Sequence, residues 1–216
     1  FKMIVALAAL AKGVVTQHTK YVCKGELTLG DSTFHCWKKK GHGAMNVVSA
    51  ITQSCDIYFY EVAKMTGIDT ISAMARRFGL GQILNIELSG EKKGLLPTRA
   101  WKKRVKKVSW QKGETLLAGI GQGLVLATPL QLAVMTSRLI NGGKAVLPHL
   151  IRRVVPNGES FQAPINAKFG TLGIDPAHLA LINKAMNYVS NSPSGTAYRS
   201  RITKRGLQYG GKTGTV

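Results

Sequence analysis

The sequence predicts one mainly helical α/β domain. Three observations predict it. Apolar runs of helical length end at Gly13, Gly67, Gly79 and Asn141-Gly142-Gly143. β-branched and glycine-bearing stretches at Lys144–Val155 and Leu207–Val216 read as strands. No internal repeat or clear linker divides the 216 residues, so residues 1–216 are expected to form a single domain.

Taken in order, Phe1–Lys12 is rich in Ala, Leu, Met and Ile and stops at Gly13, which reads as a helix with a C-terminal glycine. Residues 14–43 lack helical periodicity and carry Gly25, Gly30, Gly41 and Gly43, so a long, mostly irregular excursion is expected. Such loops are uncommon unless functional or pinned. Helices follow over Met45–Gln53 and Ile57–Met65, and Asp69 is positioned to cap a fourth over Thr70–Phe78. Pro97-Thr98 introduces a short basic helix around Trp101. Thr128-Pro129 combines an N-cap with Pro at the first helical position, and the helix runs to Ile140. Asp175-Pro176 opens the last helix, to about Val189. The glycines of the terminal Leu207–Val216 strand would let a ligand approach its backbone.

Apolar residues make up 44% and charged residues 19%, an ordinary globular balance rather than a disordered one. The longest apolar stretch, Met3–Leu10, is far short of the roughly 20 residues that span a bilayer. A net charge of +20 draws the chain to polyanions. Part of it gathers at Arg99, Lys102, Lys103, Arg104, Lys106 and Lys107, which reads as a solvated basic surface. Nucleic-acid binding needs a reading element as well as charge, and neither a zinc-finger pair, a heptad repeat nor an aromatic RNA-binding motif is present.

Three short motifs carry chemistry together. Alone, Lys212-Thr213-Gly214 is a basic strand end, Ser54-Cys55-Asp56 a helix cap between two helices, and Lys2 a solvated helix end. In order they resemble the set Ser-x-x-Lys, Ser-Asp-Asn and Lys-Thr-Gly of serine β-lactamases and penicillin-binding proteins. The first motif is represented by Phe1-Lys2, with its Ser expected two residues before Phe1. The second departs from the pattern as Ser-Cys-Asp. The third is intact.

Longer stretches resemble the elongation-specific class B penicillin-binding proteins, the penicillin-binding protein 2 group. They are Trp37-Lys38-Lys39-Lys40-Gly41-His42-Gly43, Pro97-Thr98-Arg99-Ala100-Trp101-Lys102, Gly119-Ile120-Gly121-Gln122-Gly123 and Ala127-Thr128-Pro129-Leu130-Gln131. In that group Asp at the third place of the second motif is familiar. The resemblance implies the α+β transpeptidase fold, a helical subdomain beside an antiparallel sheet, with further strands outside both ends of this sequence. It also implies a peptidoglycan D,D-transpeptidase that crosslinks stem peptides ending in D-Ala-D-Ala, is acylated by β-lactams and needs no cofactor for catalysis. A membrane-anchored enzyme facing the bacterial periplasm is expected, working with a glycan-polymerising partner of the elongation machinery and with no nucleic acid.

A serine hydroxyl is a poor nucleophile near neutral pH and needs an adjacent base. A lysine one helical turn after it, buried and beside other cations, can take that proton. By resemblance Lys2 has this role, and Ser54 relays a proton to or from the leaving amine. Lys212 supplies positive charge that poises the pair and attracts the substrate's terminal carboxylate. Thr213 and Thr215 would hydrogen-bond that carboxylate, Gly214 would allow close approach, and the N–H of Thr215 would join the oxyanion hole. Asp56 would orient the cleft and the substrate backbone. Without the upstream Ser, the sequence as it stands is expected to be inert. A stem-peptide or β-lactam sensor is the alternative of a different class. A hydrolysing β-lactamase fits poorly, because no partner suited to activating a deacylating water is identifiable.

The three cysteines, Cys23, Cys36 and Cys55, together with His42, form Cys-x12-Cys-x5-His-x12-Cys. Three Cys and one His make a closed tetrahedral zinc set, although the spacing is not that of a zinc finger. These residues bracket the excursion. One disulfide with a free thiol, or three reduced thiols, are the alternatives. The resemblance implies a metal site there, with Cys23 and Cys36 in place of carboxylates and His42 and Cys55 matching directly. His35 is a reserve ligand, while His18, His149 and His178 receive no role.

Overall fold

A computed structural model describes residues 1–86, 89–150 and 169–214. Its first helix, α1 (Lys2–Lys12), is buried on every side from Lys2 to Leu10, as a helix apolar all round must be. Helices α2 (Val47–Thr52), α3 (Asp56–Thr66), α4 (Ile68–Arg77) and α8 (Pro176–Asn191) pack around it. The core therefore has α1 as its axis, filled by Ile4, Leu7, Ile51, Phe59, Phe78 and Ile182.

Helix boundaries follow local chemistry. Gly13 takes a left-handed turn and donates its N–H back to Ala9 and Leu10. Asn46 and Ser49 form a reciprocal capping box at the head of α2. Thr98 caps α5 (Arg99–Lys106), and Thr128 with Gln131 boxes the start of α7 (Pro129–Ile140). Asp175 caps α8 through Ala177 N–H, at 2.8 Å.

Asp69 does not cap α4. Gly67, with φ 82°, both ends α3 and starts α4, so the helix begins before Asp69 is reached. Asp69 lies in the first turn and accepts from Arg99 N–H, while its other oxygen pairs with Arg99 Nε at 3.3 Å. It ties α5 to α4 instead of capping.

The excursion is also more regular than expected. Within it β1 (Tyr21–Cys23) pairs antiparallel with β4 (Gly43–Met45), and β2 (Glu26–Leu29) pairs antiparallel with β3 (Ser32–His35). Strands of three or four residues are too short for a period of two to stand out in sequence. Gly41 is required here, because a Cβ would strike the Cys23 carbonyl oxygen and the Lys24 backbone.

Helix α6 (Lys112–Gly119) lies in a stretch with no helix expectation; its cap uses Gln111 and Glu114, not Ser, Thr, Asp or Asn. A 3-10 turn at Tyr198–Ser200 was likewise not expected. The Lys144–Val155 strand is reduced, in its described part, to an isolated bridge between Lys144 and Thr171; residues 151–168 lie outside the described residues. The Leu207–Val216 strand has no ladder among the described residues. It runs over α8, where Gly211 N–H donates to the Met186 carbonyl at 3.0 Å, and Thr215 and Val216 lie outside the description. An extended segment becomes a strand only when a neighbour pairs with it.

Helices α3 and α6 meet closely at Gly119, where an added Cβ would lie 2.5 Å from Ala63 Cβ and 2.9 Å from the Phe59 carbonyl oxygen. Alanine improves helix propensity by about 1 kcal/mol, but overpacking typically costs about 1–3 kcal/mol. Gly119→Ala is therefore expected to lower the unfolding midpoint in denaturant titration. An unchanged or raised midpoint would mean that α3 and α6 separate freely.

Candidate functional site

The site forms where α1 begins and α2 gives way to α3. Ser54 occupies the left-handed region with φ 54°, a costly conformation for a residue with a Cβ. This turn reverses the chain between the helices and leaves both oxygens of Ser54 facing α1. Lys2 fills that position. Its Nζ donates to Ser54 Oγ at 3.0 Å, Ser54 O at 3.0 Å and Asp56 Oδ1 at 2.7 Å, which uses all three ammonium protons. The Phe59 ring lies 5.8 Å from the same nitrogen.

Lys2 is only 8% exposed, so it is no solvated helix end. Nor does Ser54 cap a helix. The N-cap of α3 is Cys55, which makes no side-chain cap, while Ser54 Oγ accepts from Lys2. Lys2, Ser54 and Asp56 thus form one hydrogen-bonded unit from two motifs more than fifty residues apart in sequence.

This unit opens onto a cleft of about 530 Å³. Lys212, Thr213 and Gly214 line its opposite wall, which brings the third motif to the first two. Lys212 does not bond directly to Lys2 or Ser54. Its Nζ donates to Thr213 O and Oγ1 at 3.0 and 3.1 Å, and Thr213 Oγ1 lies 2.9 Å from Thr196 Oγ1. Burial, and then repulsion from the Lys2 ammonium, lower the Lys212 pKa to about 8; Asp56 opposes the shift. Thr215 lies outside the described residues.

Behind the cleft, one ligand atom from each of Cys23, Cys36, His42 and Cys55 falls within 4.8 Å of the others. No disulfide joins the cysteines. His42 Nδ1 is 3.5 Å from Cys23 Sγ and 3.4 Å from Cys36 Sγ. A tetrahedron with Zn–S of about 2.3 Å and Zn–N of about 2.0–2.1 Å has S···N edges of about 3.6 Å, so the donor set fits zinc in kind and number, and these two edges match it in size. A hydrogen bond from the Cys55 thiol holds the Cys36 thiol well below its usual range, while that contact and burial push Cys55 up. His35 stands apart; its Nδ1 faces Glu26 at 3.9 Å and its side chain is mostly exposed, so it is not the reserve ligand.

Sequence reasoning assigned no role to several residues of the cleft. Trp37, Tyr60, Gly121 and Gln122 line it, although Trp37 and the Gly121-Gln122 pair lie within stretches already singled out by resemblance. Trp37 N–H donates to Asp56 Oδ2 at 3.0 Å. Its position next to Cys36, itself in a cluster with Cys55, was the available signal.

The model of the penicillin binding protein transpeptidase domain matches residues 1–216. The chain is 41% identical over 205 residues to the peptidoglycan D,D-transpeptidase MrdA of Salmonella typhimurium, covering 92% of this chain and 32% of that protein. It thus spans about a third of the length of that curated relative. Among solved structures it is similar to Pseudomonas aeruginosa PBP2 in complex with WCK 5153, with TM-score 0.83 and 38% identity over 92% of this chain and 45% of that one. It is also similar to Helicobacter pylori PBP2 in complex with MreC, with TM-score 0.80 and 32% identity over 94% of this chain and 37% of that one. With Lys2, Asp56 and the Lys212-Thr213-Gly214 triplet lining one cleft and Ser54 Oγ bonded to Lys2, these likenesses have a chemical basis: the chain belongs to the penicillin-binding protein transpeptidase family.

Proposed function

We propose that this chain provides the catalytic core of a peptidoglycan D,D-transpeptidase acylated by β-lactams. The observation that carries the reading is the 3.0 Å contact from Ser54 Oγ to Lys2, which lines the same cleft as Lys212. In this reading a serine two residues before Phe1 adds its Oγ to the penultimate D-Ala carbonyl. The step requires Lys2 as the neutral amine, which takes the serine proton and returns it, through Ser54 Oγ, to the departing D-Ala amine. The acyl-enzyme is then taken by an amine of a neighbouring strand, which regenerates the serine. Lys212 and Thr213 hold the substrate's terminal carboxylate, Gly214 admits its backbone, and by family resemblance Thr215 supplies an oxyanion-hole N–H. Asp56 fixes Lys2 from the other side.

The same reading places the enzyme on the inner membrane with this domain in the periplasm. It acts beside a glycan-polymerising elongation partner, and the likeness to a solved peptidoglycan synthase complex that coordinates polymerization and crosslinking supports an assembly of that kind. Catalysis requires no cofactor. Cys23, Cys36, His42 and Cys55 hold a structural zinc, which when bound supplies a cross-link between the β1–β4 ladder and the α2–α3 junction.

Intact mass after incubation with benzylpenicillin tests the catalytic reading, using a chain extended upstream to carry the serine. A stable adduct is expected, absent when that serine becomes Ala. Ser54→Ala is expected to slow acylation by about 10²–10⁴-fold, the usual range for a lost proton relay. Penicillin turnover in place of a lasting adduct would point to a hydrolase, and no adduct from folded protein would leave a binding relative.

Lys212 gives the reaction a pH signature. The group is charged below about 8 and loses its proton above it, so carboxylate capture weakens as pH rises through that value. The second-order acylation rate is expected to fall on the alkaline side with an apparent pKa of about 8. In Lys212→Arg the guanidinium stays charged, so the fall should move far to higher pH. A wild-type profile flat across this range would remove Lys212 from the anchoring role.

Metal analysis tests the cluster. Stoichiometric zinc is expected in freshly purified protein, with His42→Ala losing the metal and melting at a lower temperature. Metal-free wild-type protein that melts at the same temperature with and without added zinc would overturn the assignment.

A further inference from the structure

Trp37 is 58% exposed, yet its one side-chain donor points into the protein. The indole Nε1–H is shared between the carbonyls of Gln53 and Ser54, each at 3.1 Å. Its backbone N–H reaches Asp56 Oδ2 at 3.0 Å. One residue of the excursion therefore grips both ends of the Ser54-Cys55-Asp56 turn. An exposed tryptophan ordinarily keeps its apolar body against protein and its polar N–H toward water. Here that arrangement is inverted.

The grip acts where the backbone most needs it. Ser54 has φ 54°, and a residue with a Cβ persists there only when its surroundings over-determine the turn. The Ser54 carbonyl receives two donors, Lys2 Nζ at 3.0 Å and the indole at 3.1 Å. The same residue's Oγ accepts from Lys2 at 3.0 Å, so carbonyl and hydroxyl are held against one ammonium. The ring is itself steadied by His42, edge to face with centroids 5.3 Å apart.

We infer that Trp37 is a positioning residue for acyl transfer: its indole N–H holds the left-handed Ser54 turn so that Ser54 Oγ stays within proton-transfer distance of Lys2. The inference rests on the transpeptidase reading above. It predicts a defect in the chemical step and not in ligand capture, because the indole N–H is committed to the carbonyls of Gln53 and Ser54.

The test replaces Trp37 with benzothienylalanine, which keeps the ring shape but carries sulfur in place of N–H, in the serine-bearing extended chain. Stopped-flow acylation by a fluorescent penicillin separates the binding constant from the acylation rate constant. The acylation rate constant is expected to fall about three- to tenfold, the range for losing one such hydrogen bond, with binding unchanged and the thermal midpoint lowered by only a few degrees. Azatryptophan, which keeps the N–H, should retain the wild-type rate. Trp37→Phe should repeat the defect. If benzothienylalanine acylates at the wild-type rate, or if only the binding constant moves, the inference fails while the transpeptidase reading stands. If wild-type protein itself forms no adduct, that reading fails and takes this one with it.

Discussion

The buried ammonium of Lys2 organises the site and much of the helical packing around it. A lysine at the head of an otherwise apolar helix is expensive to bury, and desolvation is offset only when every proton finds a good acceptor. Here two are oxygens of Ser54 and the third is the carboxylate of Asp56, at 2.7 Å. Because the acceptors lie across the α2–α3 junction, α1 cannot rotate or slide without leaving a cation unpaired in the interior. Removing one member of such a buried pair typically costs about 3–5 kcal/mol. The chemistry and the helix register therefore share one set of hydrogen bonds.

A second constraint holds the excursion in place. Its strands are only three or four residues long, and such ladders are marginal by themselves. Cys23 ends β1, Cys36 follows β3 and His42 precedes β4, so the thiol and imidazole cluster draws both hairpin layers onto Cys55 at the head of α3. Trp37 and Cys36 are neighbours, which means that one segment serves the cluster with one side chain and the cleft with the next. The excursion is the back wall of the site, not an appendage.

Legibility in the sequence tracked the range of the interaction responsible. Helices with local stop and cap signals were readable, as at Gly13, Thr98, Thr128 and Asp175, since the bonds that end them lie within a few residues. Asp69 misled because a nearby glycine offered an earlier start, and the Asp69 carboxylate found Arg99, thirty residues away in sequence. The β1–β4 pairing joins residues about twenty apart and the terminal segment rests on α8, and neither relation leaves a periodic trace. The site motifs were legible for a different reason. Their residue types are those the proposed acyl-transfer chemistry calls for, so order and identity are informative where periodicity is silent. For Trp37 the sequence offers its place beside Cys36 but not the direction of its indole N–H, which only the fold sets.

The second motif explains its own departure from the common pattern. In Ser54-Cys55-Asp56 the left-handed turn at Ser54 and the helix start at Asp56 send successive side chains to opposite sides. Ser54 and Asp56 face Lys2, whereas Cys55 is fully buried behind them among Cys23, Cys36 and His42. The outer two positions answer to a cation in the cleft, and only oxygen acceptors satisfy it. The middle position answers to whatever lies behind the turn. Where that is a soft donor cluster, sulfur is the fitting atom, and cysteine can stand in the middle of the motif without altering the face presented to substrate. The substitution that looked like a weakness in the motif is thus the point at which the cleft is fastened to its support.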